Sequence, residues 1–170
     1  GYFGPYLLLL TIIATIYKEK KYKNIIFLLI IICSIFTDIL NRIFKKLIQQ
    51  PRPTGIDYTN KWDSFSETSY GMPSGHMQNI STGAIFIILF LKSNLIRIYA
   101  MSQCFLTGYQ RWYYKKHTLQ QIITGSIIGT MLGIIYYQFF ITIQPKLLIK
   151  KKKNKKKKNK KKRTKQIKYI

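Results

Sequence analysis

The chain holds two histidines, and each falls in a short cluster suited to binding and transferring a phosphate. One cluster is Lys45, six residues, then Arg52-Pro53; a second is Pro73-Ser74-Gly75-His76; a third is Arg111, five residues, then His117. Arginine offers phosphate oxygens a bidentate fork, and lysine offers a point charge. The Ser-Gly-His step leads into an apolar run that starts at Met77, so it sits at the mouth of a predicted helix. Helix N-termini present free backbone N–H groups and the positive end of the dipole, which together attract anions. Phosphoryl transfer depends mostly on positioning and charge stabilisation, so three cations with backbone donors suit it. A histidine titrating near neutrality serves as nucleophile when neutral or as acid when charged. No metal-ligand set stands near either histidine, so neither a metal nor another cofactor is expected.

The elements that must position these clusters are apolar. Five runs appear, at 2–17, 24–44, 77–91, 95–109 and 118–143. A spanning helix needs about 20 mostly apolar residues. The second and fifth runs meet that outright. The third and fourth are short, and Arg97 and Gln103 weaken the fourth. The uninterrupted Ile, Leu and Phe of 25–36 show no polar face, as expected of a helix in lipid. The fold class expected is all-α: a multi-pass integral membrane helix bundle with five spans. The first run is not read as a secretory signal, because its basic residues follow it and no small-residue cleavage site is evident.

Charge is segregated along the chain. Of the 29 basic residues, 15 lie from Lys146 onward, where no acid occurs. Residues 1–145 therefore read as one membrane-embedded domain, and 146–170 as a basic tail. The run from Lys150 to Arg163 is interrupted only by Asn154 and Asn159 and is expected to be disordered, since it repels itself and has no apolar face. A juxtamembrane polybasic run suits anionic lipids; nucleic acid is the less favoured partner. The tail, the basic loop at 18–23 and the Lys92–Arg97 loop fall on one side of the membrane, which the positive-inside rule makes cytoplasmic. All three phosphate clusters then fall on the other side. So does the 45–76 segment, where Tyr58, Trp62, Phe65 and Tyr70 read as interfacial anchors and Asp57, Asp63 and Glu67 supply three of the five acids.

With its three clusters in this order, the chain resembles the phosphatidic acid phosphatase type 2 superfamily, whose pattern is Lys-x6-Arg-Pro, Pro-Ser-Gly-His and Ser-Arg-x5-His-x3-Asp. The resemblance covers roughly residues 24–143 and implies a core of six helices, one more than the five runs. It implies an integral-membrane phosphatase, acting without metal on a lipid phosphate monoester or isoprenyl pyrophosphate through a phosphohistidine. His117 takes the place of the nucleophile and His76 that of the general acid. Lys45, Arg52 and Arg111, with Ser74 and the Gly75 backbone N–H, take the place of the phosphate clamp.

Two positions depart from the pattern. Gln110 stands where the family has Ser, and Gln121 where it has Asp. Gln121 lies four residues after His117, so its carbonyl can accept the ring N–H on a shared helix face, but it supplies no charge. This keeps a second class of function open: a catalytically impaired relative that binds phospholipid or scaffolds a membrane. Asp38 is the one carboxylate inside an expected span, and it reads mainly as a partner that orients Lys45. Gly125, Gly129 and Gly133, spaced by four, read as a close-packing face between helices.

Overall fold

The computed structural model describes residues 3–18, 23–55 and 70–167. Tyr58, Trp62, Phe65, Asp57, Asp63 and Glu67, and most of the basic loop after the first helix, lie outside the described residues. Among those described, every regular element is a helix: α1 (Gly4–Lys18), α2 (Lys23–Ile48), α3 (Gly75–Phe90), α4 (Asn94–Tyr113) and α5 (Leu119–Ile167). Two compact units are distinguished, Gly1–Tyr136 and Tyr137–Ile170. The first carries all three clusters. In the second, the backbone is helical to Ile167, where composition leads one to expect disorder. Lysine is a good helix former, and a helix already nucleated extends without a new nucleus.

The first unit is polar inside and apolar outside. Among its described residues twelve polar or charged side chains are buried against eight apolar ones, and the buried set includes Lys45, Arg111, Lys116 and His117. Meanwhile Ile32, Ile35, Leu95, Phe105, Ile127 and Met131 are exposed. A water-soluble bundle would reverse this arrangement; it is that of a bundle whose solvent is lipid. One described segment, Leu119–Ile143, is long and apolar enough to cross a membrane, with 25 residues, a mean hydropathy of 1.6 and 22% of its apolar window buried. α2 carries Asp38, Arg42, Lys45 and Lys46 in its C-terminal half.

The glycine stripe makes the central contact. A Cβ on Gly125 would lie 2.5 Å from the Ser74 carbonyl oxygen and one on Gly133 2.7 Å from that of Thr82, while Gly129 stands against the carbonyl of Gln78. Without side chains there, the backbones of α3 and α5 meet directly, as small-residue stripes allow between membrane helices. A second contact is polar. Asn41 Nδ2 on α2 donates to Gln78 Oε1 on α3 at 2.8 Å and to the Pro73 carbonyl at 3.3 Å, and Gln78 Nε2 donates to the Thr37 carbonyl at 3.0 Å. Asp38 accepts from Asn79 Nδ2 at 2.7 Å, so the hydrogen bond it makes joins α2 to α3.

Candidate active site

Each cluster sits at the end of a helix, and local backbone geometry accounts for its spacing. At the end of α4, Lys115 adopts a left-handed conformation with φ of 52°. The Lys116 N–H then reaches back to the Arg111 carbonyl at 3.0 Å, and the Lys115 N–H to that of Trp112 at 3.0 Å. These are the paired bonds of a Schellman helix end. The His117 N–H also bonds the Arg111 carbonyl, at 3.2 Å. Arg-x5-His is thus the length of one such turn, which returns His117 to the level of Arg111. At the end of α2, Gln49 is likewise left-handed, with φ of 51°, and its N–H bonds the Lys45 carbonyl at 3.0 Å. The chain then runs through Gln50 and Pro51 to Arg52. Pro51 pairs with Tyr70 in an isolated antiparallel bridge, and the Gly71 N–H donates to the Gln50 carbonyl at 2.8 Å. That pairing sets the first cluster beside the second.

The second cluster enters α3 through a cis Met72–Pro73 bond. Ser74 occupies the N-cap but makes no side-chain capping bond, and its buried hydroxyl has no hydrogen-bond partner. Its N–H donates to the Gln121 carbonyl at 3.1 Å, tying the second cluster to the third. Gly75 lies against Asn41, where a Cβ would be 3.0 Å from Oδ1. His76 stands half-buried in the first turn of α3.

His117 is the best-defined member of the group. It is 3% exposed, and its Nδ1 lies 3.1 Å from Gln121 Oε1. The Gln121 Nε2 amide donates to Gln50 Oε1 at 3.0 Å and to the Pro51 carbonyl at 2.9 Å, and Oε1 also accepts the Thr118 N–H at 3.2 Å. With both amide hydrogens committed on one side, the carbonyl must face His117. Nδ1 therefore carries the proton, and Nε2 keeps its lone pair. Arg52 Nη1 lies 3.4 Å from that Nε2 and donates to the Lys116 carbonyl at 2.9 Å. Burial drives the ring's pKa well below 6.5, and the nearby charges of Arg52, Lys45 and Arg111 push the same way against the Gln121 hydrogen bond. The imidazole is neutral at pH 7.

The structure thus gathers Lys45, Arg52, Arg111, His117 and Gln121 around one ring and links Ser74 to Gln121 through the backbone. Three participants were not legible beforehand: Gln50, the Pro51 carbonyl and the fully buried Lys116. Lys116 had a signal, being a cation beside the nucleophile candidate. Gln110 Oε1, at the departure from Ser, is buried without a hydrogen-bond partner.

Comparison with known proteins identifies the family. The family profile described as the PAP2 superfamily matches residues 25–145. Dolichyldiphosphatase 1 of Dictyostelium discoideum is 33% identical over 114 residues, which are 61% of this chain and 47% of that protein. The dolichyldiphosphatase of Saccharomyces cerevisiae is 26% identical over 113 residues, 61% of this chain and 47% of that protein. Lipid phosphate phosphatase epsilon 1, chloroplastic, of Arabidopsis thaliana is 28% identical over 115 residues, 63% of this chain and 38% of that protein. The chain spans about half the length, or less, of these curated relatives. The fold is shared with a transmembrane PAP2 type phosphatidylglycerolphosphate phosphatase from Bacillus subtilis, at a TM-score of 0.62 and 22% identity over 82% of this chain and 74% of that one. The three clusters, the helical frame and the profile match lead to one conclusion: this chain belongs to the PAP2 superfamily.

Proposed function

We propose that the protein is an integral-membrane phosphatase that cleaves the phosphate end of a lipid by way of a phosphohistidine. The observation that carries this reading is the state of His117: neutral, with Nδ1 anchored on Gln121 and the Nε2 lone pair directed toward Arg52. The lone pair attacks phosphorus, the bond to the leaving oxygen breaks, and His76 delivers a proton to that oxygen. Water then attacks the phosphohistidine, giving its proton to His76 as the P–N bond breaks. Lys45, Arg52 and Arg111 hold the phosphoryl oxygens with the Gly75 N–H, and the Ser74 hydroxyl gains the partner it otherwise lacks. The cations of the site are side chains, so no metal enters this scheme.

Among substrate classes, an isoprenyl pyrophosphate is favoured over a phosphate monoester, because several relatives are dolichyldiphosphatases. By the loop charges, the site faces the non-cytoplasmic side and the basic tail meets anionic lipids on the cytoplasmic side. The test is phosphate release by purified protein from an isoprenyl pyrophosphate and from a short-chain phosphatidic acid, with and without vanadate, beside His117→Ala. Vanadate-sensitive release that disappears in the variant supports the reading. A second reading, a catalytically impaired relative that binds phospholipid, draws on the neutral Gln121. It predicts vesicle binding with no release above His117→Ala on either substrate.

A further inference from the structure

A lipid whose phosphate end lies at the three clusters must send its chain along the helices, because the clusters sit at helix ends. An apolar groove of about 530 Å³ begins there, walled by α3, α4 and α5. Its size falls within the range of about 300–1,000 Å³ usual for a site that takes one small ligand. The mouth is formed by Met77, Trp112 and Leu119. The first two directly follow His76 and Arg111, and Leu119 stands two positions after His117. The far end is formed by Ile88, Met101 and Thr130. On each helix the mouth and far-end residues are eleven positions apart, so the groove runs for about 16 Å at the helical rise.

The space between is left by the small side chains of Ser81, Ala84 and Ser126. Polar atoms in the wall spend their bonds on backbone. The Ser126 hydroxyl donates to the Ile122 carbonyl at 2.9 Å, and the Cys104 thiol to that of Ile80 at 3.8 Å. Such a wall offers ordered water few partners and suits hydrocarbon. Phe105 lines the groove and is 74% exposed, so the groove is open to the lipid around the bundle. Hydrocarbon fills a groove of this kind in any membrane, and proximity selects whose. A chain tethered to a headgroup held at the mouth enters in an intramolecular step, ahead of free bilayer lipid.

We propose that this groove binds the first part of the substrate's own hydrocarbon chain and makes the protein selective for chain length. The inference rests on the phosphatase reading for the headgroup at its mouth.

The experiment uses the purified full chain in detergent micelles with geranyl, farnesyl and geranylgeranyl pyrophosphates. Wild-type kcat/KM is expected to rise along the series. Thr130→Phe plugs the far end and leaves the mouth open. It should lower the ratio of geranylgeranyl to geranyl kcat/KM about tenfold, the low end of what a hydrocarbon misfit costs in a pocket, with the geranyl value unchanged. Ile123→Phe, on the exposed face of α5 outside the groove, should leave the ratio as it is. In parallel, a geranylgeranyl pyrophosphate carrying a diazirine at its chain end is photolysed with wild type and the labelled peptides are mapped. The label is expected on the peptides that hold Ile88, Met101 or Thr130; this arm decides the matter if Thr130→Phe does not fold. An unchanged ratio in folded Thr130→Phe, or a label on α1 or α2 instead, would overturn the proposal. So would a second copy of the chain seated in the groove, seen as a dimer that Thr130→Phe dissociates and from which the label is excluded. If the wild type releases no phosphate from any substrate, the phosphatase reading fails. The label, which needs binding alone, then decides whether the groove takes the chain.

Discussion

Gly125 on α5 lies directly under Ser74: a Cβ there would come within 2.5 Å of the Ser74 carbonyl oxygen and 3.2 Å of its nitrogen. Four residues earlier on the same helix, the Gln121 carbonyl accepts the Ser74 N–H at 3.1 Å. One turn of α5 thus carries the histidine's anchor and the seat of the Pro-Ser-Gly-His segment together.

Enlarging that seat should therefore cost both fold and activity. Gly125→Ala is expected to lower stability by about 1–3 kcal/mol, the usual range for overpacking, and to lower turnover because Ser74 and Gly75 shift from the phosphate. Thermal unfolding in detergent and phosphate release check this together. Gly133→Ala, which meets Thr82 and Ile85 deeper in the bundle, should lower stability with a smaller effect on turnover.

Gln121 should prove indispensable as an orienter and improvable as an electrostatic partner. Gln121→Leu removes the Nδ1 acceptor and should lower kcat by about 10²–10⁴-fold, by analogy with the tautomer error in a Ser-His-Asp triad. Gln121→Asp keeps an acceptor and adds a charge that stabilises the cationic ring formed on attack. It should retain activity well above Gln121→Leu, and steady-state kinetics on one substrate decide the comparison.

The pH dependence follows from the lowered pKa of His117. A neutral ring is the nucleophile, so its protonation should not limit kcat/KM at or above pH 6.5; that limb should appear only below it. Gln121→Asp should move it upward. Stability carries the same sign. The unfolded histidine titrates near 6.5, so below that pH the unfolded chain takes up a proton that the folded site resists. The contribution of His117 is complete above about pH 6.5 and is lost as pH falls toward the lowered folded value. Melting temperatures of wild type and His117→Asn across pH 5–8 should converge at the acid end.

Arg52 should not be replaceable by lysine. Its Nη1 reaches the Lys116 carbonyl at 2.9 Å while facing His117 Nε2, and a planar guanidinium grips phosphoryl oxygens in a bidentate way that an ammonium does not. Arg52→Lys keeps the charge and should still lower kcat by about 10–100-fold. Arg52→Ala should cost about 10²–10³-fold, as for other donors to transition-state charge.

The pattern of residues made the three clusters readable before any coordinates, because each obeys a local spacing at a helix end. The turn from Arg111 to His117 is five residues long for a backbone reason, and only the identity of the left-handed residue was obscure, since Lys115 is not a residue that favours that conformation. The glycine stripe of α5 was equally legible, because periodic small residues have a definite packing consequence. What sequence did not disclose are the contacts between distant segments. Gln50 and Gln121 lie 71 residues apart, and their meeting depends on the Pro51–Tyr70 pairing, which no local periodicity announces. Asp38 shows the same limit. Its spacing suggested Lys45 as partner on its own helix, while its observed hydrogen bond goes to Asn79 on α3.

The claim on which the account rests is that His117 Nε2 becomes phosphorylated. The most direct measurement is a rapid-quench experiment with an isoprenyl pyrophosphate labelled in its terminal phosphate, followed by alkaline work-up and peptide mapping. The account predicts a transient, alkali-stable label on His117 that forms faster than product accumulates and is absent in His117→Asn. Turnover without a labelled enzyme, accompanied by retained activity in His117→Asn, would contradict it.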